Sequence, residues 1–313
     1  MTIIRRTILA GLFLGLSACS EDPNPAFIPA ASPYFGLSDQ MVELNSSQIR
    51  YRSTGPDTAP TIILLHGFTD SLHTWDALAD DLDDEFRVLR PDLPGHGLSG
   101  GNAENDYSNA ALVTFVGDFI EAVDADAPIL VGNSLGGLAA WRFAAAEPNT
   151  VGGLVLLAPG GVPHNGVGDE PLPVPAMMKA YLNHAPEAGV KMALSAMHAN
   201  PARVTDESAA QFRDLMRIPG NADAFVARAA QFTLPEPADD MAKIAVPTTI
   251  LWGVQDVVLP IAQADVFAAN IAHAAIIRLD DVGHMPQSEA PDQVAAAIRA
   301  IAAQIQNPSE ATP

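Results

Sequence analysis

The fold of this chain is decided by one stretch of sequence, Val131-Gly132-Asn133-Ser134-Leu135-Gly136-Gly137. An apolar run precedes it at residues 128–131 and an Ala-rich run follows at residues 138–147, which predicts strand, tight turn and helix. Glycines on both sides of Ser134 remove the Cβ atoms that would clash where strand and helix approach each other. The predicted turn exposes the Ser134 hydroxyl at a helix N-terminus, whose N–H groups favour negative charge.

Composition excludes several classes of function. The chain has 313 residues, of which 48% are hydrophobic, so it can bury a full core in one or two domains. A formal net charge of −21 repels phosphate groups, so we expect no nucleic-acid partner. The sequence has no His-Glu-x-x-His pattern and no phosphate-cradling or dinucleotide-binding glycine motif, so we expect no metal and no cofactor. Composition leaves the oligomeric state open.

The N-terminus resembles a bacterial lipoprotein signal. Two arginines precede an apolar run at residues 7–16, which is short for a membrane span but typical of a signal sequence. Cys19, the only cysteine of the chain, lies directly after Leu16-Ser17-Ala18, where such signals carry the lipidated residue. The resemblance implies cleavage of a signal peptide, residues 1–18, and lipidation of Cys19. A plain secretory signal is the alternative.

A lipid on Cys19 implies a membrane-anchored protein of the bacterial cell envelope. Several acyl chains on one cysteine hold a protein at a membrane stably, whereas a single chain is marginal. Ser20 replaces the aspartate that retains such lipoproteins at the inner membrane, which favours the outer membrane. Residues 19–37 contain four prolines, and this composition predicts a semi-rigid, extended tether.

From residue 38 onward, strand patterns alternate with helical patterns. Two alternating runs, residues 41–44 and 48–52, predict a β-hairpin. The continuous apolar run at residues 61–65 predicts a strand that is buried on both faces. The alternation as a whole predicts an α/β fold with a mostly parallel sheet, in which ligands bind at the carboxyl ends of the strands.

The alternation is interrupted in the middle of the chain. Residues 159–175 are rich in Pro and Gly, and the helical patterns after them have no strands in between. Strand patterns resume at Val246. The predicted α/β core therefore has two parts, residues 38–159 and residues 241–306. A helical insertion, residues 160–240, lies between them, and a polar tail, residues 307–313, follows.

Four motifs, in this order, resemble the α/β-hydrolase fold superfamily over about residues 40–305. They are His66-Gly67-Phe68 after the third predicted strand, Asp92–Gly97 after the fourth, the Ser134 turn after the fifth, and an acid and a histidine near the end of the chain. The resemblance implies a mostly parallel, eight-stranded sheet with a helical cap inserted after strand six.

The resemblance also implies a catalytic triad. A serine hydroxyl is a poor nucleophile without an adjacent base, so Ser134 needs a histidine. Among eight histidines, His284 lies in the loop after the last strand, where the family places its base. Asp256 follows strand seven and matches the acid that orients the imidazole. Asp280 and Asp281 are alternatives that lie too close to His284 in sequence to be preferred.

An oxyanion hole is expected from two backbone N–H groups. The family uses the residue after the nucleophile, here Leu135, and a residue in the loop after strand three, here Phe68. Such donors are fixed where negative charge develops on the substrate oxygen. The loop lacks the His-Gly-Gly-Gly sequence, which disfavours esters of bulky tertiary alcohols.

The predicted function is hydrolysis of carboxylic esters by a serine enzyme, with acylglycerols and other lipids among the candidate substrates. A carbon–carbon bond hydrolase of the aromatic-degradation type stays open because Asn133 matches that class, although Met285 stands where those enzymes carry Trp. A non-catalytic lipoprotein that binds a ligand under the cap is the alternative from another class. In the cap, Arg213 and Arg217 are predicted to pair with acids, and contact with a substrate carboxylate is the alternative.

Overall fold

Eight strands form one sheet in this computed structural model, which describes residues 29–45 and 47–307. The strands are β1 (Asp39–Leu44), β2 (Ser47–Thr54), β3 (Thr61–Leu65), β4 (Arg87–Pro91), β5 (Ile129–Asn133), β6 (Gly153–Leu157), β7 (Thr248–Gly253) and β8 (Ala275–Leu279). Their spatial order is β1-β2-β4-β3-β5-β6-β7-β8. β2 pairs antiparallel with both β1 and β4, and the other neighbours are parallel.

Eleven α-helices connect or cover the strands in the part of the chain that the structure describes. They are α1 (Asp76–Leu82), α2 (Asn109–Ala122), α3 (Leu135–Ala146), α4 (Ala176–His184), α5 (Glu187–Met197), α6 (Asp206–Met216), α7 (Asn221–Gln231), α8 (Ala238–Met241), α9 (Gln263–Asn270), α10 (Pro286–Glu289) and α11 (Pro291–Gln306). Short 3₁₀ turns occupy Pro29–Ala31, Leu72–Trp75 and Pro201–Arg203.

The central strands are buried on both faces, as their continuous apolar sequences require. Along β3, Ile63 and Leu65 join a core cluster with residues of α2, α3 and α9. Ile62 and Leu64 alternate with them and join the opposite cluster, with residues of α1 and α11. Side chains of successive strand residues point to opposite faces, so a single apolar run supplies both cores.

The predicted fold class is confirmed, with eight strands and a mostly parallel sheet. Helices α4 to α8 lie between β6 and β7, in the interval predicted as a cap. The sequence patterns did not predict α8 or α10, because four-residue helices are too short to establish a helical period.

The N-terminal predictions lie mostly outside the described residues. The signal peptide, Cys19 and the first part of the tether are not covered, nor are residues 308–313 of the tail. Within the tether, Tyr34 donates a hydrogen bond to Asp214 of α6 at 2.9 Å, and its carbonyl accepts one from Arg50. This part of the tether therefore contacts both the cap and the core. In residues 29–45 and 47–307, no helix is long and apolar enough to cross a bilayer.

Candidate active site

Ser134 stands in a strained turn between β5 and α3. Its backbone has φ 52° and ψ −110°, which a residue with a side chain rarely adopts. A Cβ at Gly132 would lie 2.4 Å from the Gly136 carbonyl oxygen, and one at Gly136 would lie 2.0 Å from the Leu65 carbonyl oxygen. Only glycine fits at these two positions, because strand, turn and helix touch through their backbones. This contact fixes the conformation that presents the Ser134 hydroxyl.

His284 and Asp256 meet beyond the ends of two neighbouring strands. His284 follows β8, and its Nδ1 donates to Oδ2 of Asp256 at 2.8 Å. The other carboxylate oxygen accepts from the backbone N–H groups of Val258 and Leu259, at 2.8 and 2.9 Å. Both side chains are buried. With Nδ1 as the donor, Nε2 of His284 is left as the basic nitrogen.

The structure brings Ser134 to the same cavity as His284. Two cavities border Ser134, and His284 lines the smaller one, which has a volume of about 220 Å³. Gly67, of the loop after β3, also lines the smaller cavity. In the part of the chain that the structure describes, the Ser134 hydroxyl does not hydrogen-bond to His284. Catalytic hydrogen bonds are often long in a protein without substrate, so this geometry is compatible with proton transfer once an ester is bound.

Four hydrogen bonds that the sequence analysis missed hold the loop of His284 and join it to the cap. Asn133 donates to the His284 carbonyl oxygen at 3.0 Å, and the His284 N–H donates to the carbonyl of Met197, at the end of α5, at 2.7 Å. Buried Glu289 accepts from the N–H of Gly283 and from the N–H of Ala199, both at 2.8 Å. All of these hydrogen bonds except the one from Gly283 to Glu289 join residues far apart in sequence, so no local pattern could have indicated them.

The two amides predicted for the oxyanion hole are near Ser134 and free of other partners. Leu135 is the first residue of α3, and the Phe68 ring borders the same cavities as Ser134. Among the described residues, neither N–H donates to a protein acceptor. A Cβ at Gly67 would lie 3.5 Å from the Cβ of Ser134, so the loop of Phe68 passes close to the serine. The arrangement leaves two donors available to a substrate oxygen.

A second, larger cavity of about 530 Å³ also borders Ser134. Its walls are mainly apolar, with Leu138 and Phe232 among them, and Arg228 also lines it. Phe68, Met178 and Val258 border both cavities. Ser134 therefore lies between two largely apolar cavities. This arrangement suits a substrate that has one apolar group, or arm, on each side of the bond to be broken.

The other core histidines have structural roles. His66 accepts from the N–H of Leu93 at 3.0 Å, and burial lowers its pKa below the usual value. Burial, with His66 and Arg228 nearby, lowers the pKa of His96 well below its usual value. His73 pairs with Asp76 at 3.0 Å. Across residues 29–45 and 47–307, no three His, Cys, Asp or Glu side chains are grouped as metal ligands.

The two cap arginines that were predicted to pair with acids differ in their partners. Arg213 pairs with Glu187 at 2.9 Å and with Asp214 at 2.8 Å, as expected. Arg217 instead donates to the carbonyl oxygens of His184 and Ala185, so the prediction that it pairs with an acid was wrong. The carbonyls at the end of α4 have no intrahelical partners and supply the acceptors. Neither arginine borders the cavities at Ser134.

The chain is similar in sequence and in fold to known proteins. The family model described as alpha/beta hydrolase fold matches residues 60–291. Human monoacylglycerol lipase ABHD6 is 28% identical over 299 residues, covering 87% of this chain and 84% of the relative. The uncharacterized protein Mb2734 of Mycobacterium bovis is 30% identical over 257 residues, covering 75% of this chain and 72% of its own. A candidate lipase (lip1) of Acinetobacter baumannii is 25% identical with a TM-score of 0.75, covering 86% of this chain and 92% of that structure.

Proposed function

The chain belongs to the α/β hydrolase fold family, and from this premise we propose that it is a serine hydrolase of carboxylic esters. The observation that carries the proposal is the 2.8 Å contact from His284 Nδ1 to Asp256, with Ser134 and His284 on one cavity. A ligand-binding protein needs neither an oriented imidazole nor a strained serine beside it.

The proposed reaction proceeds through an acyl-enzyme. Ser134 Oγ attacks the ester carbonyl carbon while Nε2 of His284 takes the hydroxyl proton, and Asp256 stabilises the resulting imidazolium. The N–H groups of Phe68 and Leu135 stabilise the negative charge on the carbonyl oxygen. His284 then returns the proton to the alcohol as the carbon–oxygen bond breaks. Water, activated by the same imidazole, releases the acid and regenerates Ser134.

We infer that the substrates extend to acylglycerols and other lipid esters. Monoacylglycerol lipases are among the relatives at 25–28% identity. The two cavities at Ser134 are mainly apolar, and the cap side chains Met178, Tyr181 and Phe212 border the smaller one. Apolar walls favour an acyl chain through hydrophobic burial and keep bulk water from the acyl-enzyme. Met285 also borders the smaller cavity, where carbon–carbon bond hydrolases carry Trp, so ester cleavage is preferred.

We also propose that a lipid on Cys19 anchors the enzyme at the cell envelope, with the outer membrane as the favoured site. The support is the sequence pattern of residues 1–20 alone. Membrane fractionation of the full chain against Cys19→Ser tests this; equal release of both into the soluble fraction contradicts it.

The test of ester hydrolysis uses the domain without residues 1–18. Wild-type protein is expected to hydrolyse p-nitrophenyl esters, and Ser134→Ala is expected to lose at least about 10³-fold in kcat, because the residual rate comes only from binding and the oxyanion hole. Circular dichroism should show that the variant stays folded. Wild-type activity retained by Ser134→Ala would sink the assignment of the nucleophile.

A further inference from the structure

Arg228 is a buried cation in the wall of the larger cavity, where Ser134 also lies. It belongs to α7 in the cap, and only 3% of its surface is exposed. Its Nε and Nη1 atoms have no hydrogen-bond partner in the part of the chain that the structure describes. The guanidinium instead stacks 5.6 Å from the ring centre of Tyr107. The proposed ester chemistry does not use this side chain.

Among the described residues, no carboxylate forms a salt bridge with Arg228. Asp106 acts on it through space, but its carboxylate accepts instead from the N–H of Ser108 at 2.9 Å. Burial lowers the pKa of Arg228 to about 10, so the side chain stays charged at neutral pH. Desolvating an unpaired charge is unfavourable, and an anion that enters the cavity offsets this cost.

The position of Arg228 is fixed by packing around α7. Phe225, one turn earlier, stacks against Phe68 at 5.7 Å and against His96 at 4.9 Å. A Cβ at Gly95 would lie 2.4 Å from the Cβ of Ala224, so α7 rests directly on the loop after β4. The cation is therefore held in place before any ligand arrives, which reduces the entropy lost on binding.

We propose that Arg228 binds an anionic group of the substrate, a carboxylate or a phosphate, while the scissile ester bond lies at Ser134. The anionic group is carried on either the acyl arm or the alcohol arm of the ester. This inference rests on the proposed function and narrows its substrates to amphiphilic esters with a negative charge away from the scissile bond. The apolar wall around Leu138 and Phe232 contacts the carbon chain, and the guanidinium donates charge-assisted hydrogen bonds to the anion. An arginine suits this task because its planar fork matches two anionic oxygens.

The experiment compares two matched pairs of esters below their critical micelle concentrations. One pair is 1-octanoylglycerol and its 3-phosphate, with the anion on the alcohol side. The other is methyl decanoate and monomethyl decanedioate, with the anion on the acyl side. Wild-type protein is expected to favour the anionic member of at least one pair by tenfold or more in kcat/KM. The pair that shows the preference identifies the arm and the anion.

The same preference is then measured in Arg228→Met and Arg228→Lys. We expect the ratio of anionic to neutral kcat/KM to fall at least tenfold in Arg228→Met. Arg228→Lys, which keeps the charge, should retain part of the preference. Arg142→Met is the matched control, because Arg142 also stacks on an aromatic ring, that of Trp141, but does not border the cavities at Ser134.

Two outcomes overturn the inference. A wild-type protein that prefers the neutral ester in both pairs contradicts it without any variant, so the test survives if Arg228→Met does not fold. A preference that persists unchanged in Arg228→Met contradicts it as well. Hydrolysis of the neutral esters is read separately, and its complete absence in wild-type protein speaks against the proposed function rather than against the role of Arg228.

Discussion

The backbone conformation of Ser134 at the candidate active site is held by hydrogen bonds. Ser134 keeps φ at 52° because Leu138 and Gly160 both donate to its carbonyl oxygen at 2.9 Å, while its own N–H donates to Leu157 at 3.0 Å. Strain of this kind costs about 1–3 kcal/mol and persists only where the surroundings determine it. The tight turn at Ser134 could be predicted from sequence, since glycines on both sides of the serine indicate that strand and helix approach each other closely there. The hydrogen bonds of Asn133 to His284 and of Ala199 to Glu289 could not, since these partners are distant in sequence.

Asp70, in the loop after β3, makes the stability of the fold depend on pH. Burial raises its pKa from 3.8 to about 7, even though Ser71 donates a backbone hydrogen bond to it. Between these two pH values the unfolded chain has lost the proton and the folded chain keeps it. The free energy of unfolding contributed by Asp70 therefore falls as pH rises from about 4 to about 7, and is constant above that.

We predict that Asp70→Asn stabilises the protein, and does so more at pH 8 than at pH 5. Each unit of pKa difference corresponds to about 1.4 kcal/mol, and about two units lie between pH 5 and the folded pKa, so the additional gain at pH 8 should be about 3 kcal/mol. Urea denaturation at the two pH values measures it, with the exposed Asp126→Asn as the control for charge removal. A gain that is equal at both pH values, or larger at pH 5, contradicts the buried, protonated state of Asp70.

At the scale of elements, the cap and the core meet at the loop of the proposed base. The end of α5 accepts the His284 N–H, and Glu289 of α10 binds the N–H groups of Gly283 and Ala199. Helical periodicity predicted the absence of strands in the cap. It could not predict α10, whose one turn includes the buried residue that joins the cap to the core. Glu289 is therefore a positioning residue for His284.

We expect Glu289→Gln to lower kcat for ester hydrolysis about tenfold. The amide retains one acceptor oxygen, but its NH₂ group faces an N–H that previously donated to a carboxylate, so the loop of His284 shifts. The activity is measured well below the unfolding temperature, and KM should change less than kcat. Glu187→Gln makes the same chemical change at an exposed cap salt bridge and should leave kcat unaltered. Equal kcat values for the two variants would falsify this role.

At the scale of the whole molecule, the sheet collects residues that are far apart in the chain. Ser134, Asp256 and His284 follow β5, β7 and β8, and parallel strands place their carboxyl ends at one edge. This arrangement was predictable because strand order in an alternating α/β chain is strongly restricted. The two cavities and the burial of Arg228 were not predictable from sequence, because they depend on how the cap helices pack on the sheet.

Covalent labelling measures whether Ser134 is an activated nucleophile. A fluorophosphonate reacts with a serine only when a base removes its proton and the phosphoryl oxygen is stabilised. Intact-mass spectrometry of the protein without residues 1–18 is expected to show one adduct, mapped to Ser134 by peptide analysis. Ser134→Ala should show none, and His284→Ala should react at least about 10³-fold more slowly. Wild-type protein that remains unlabelled, or that is labelled elsewhere, contradicts the account and favours a protein that only binds its ligand.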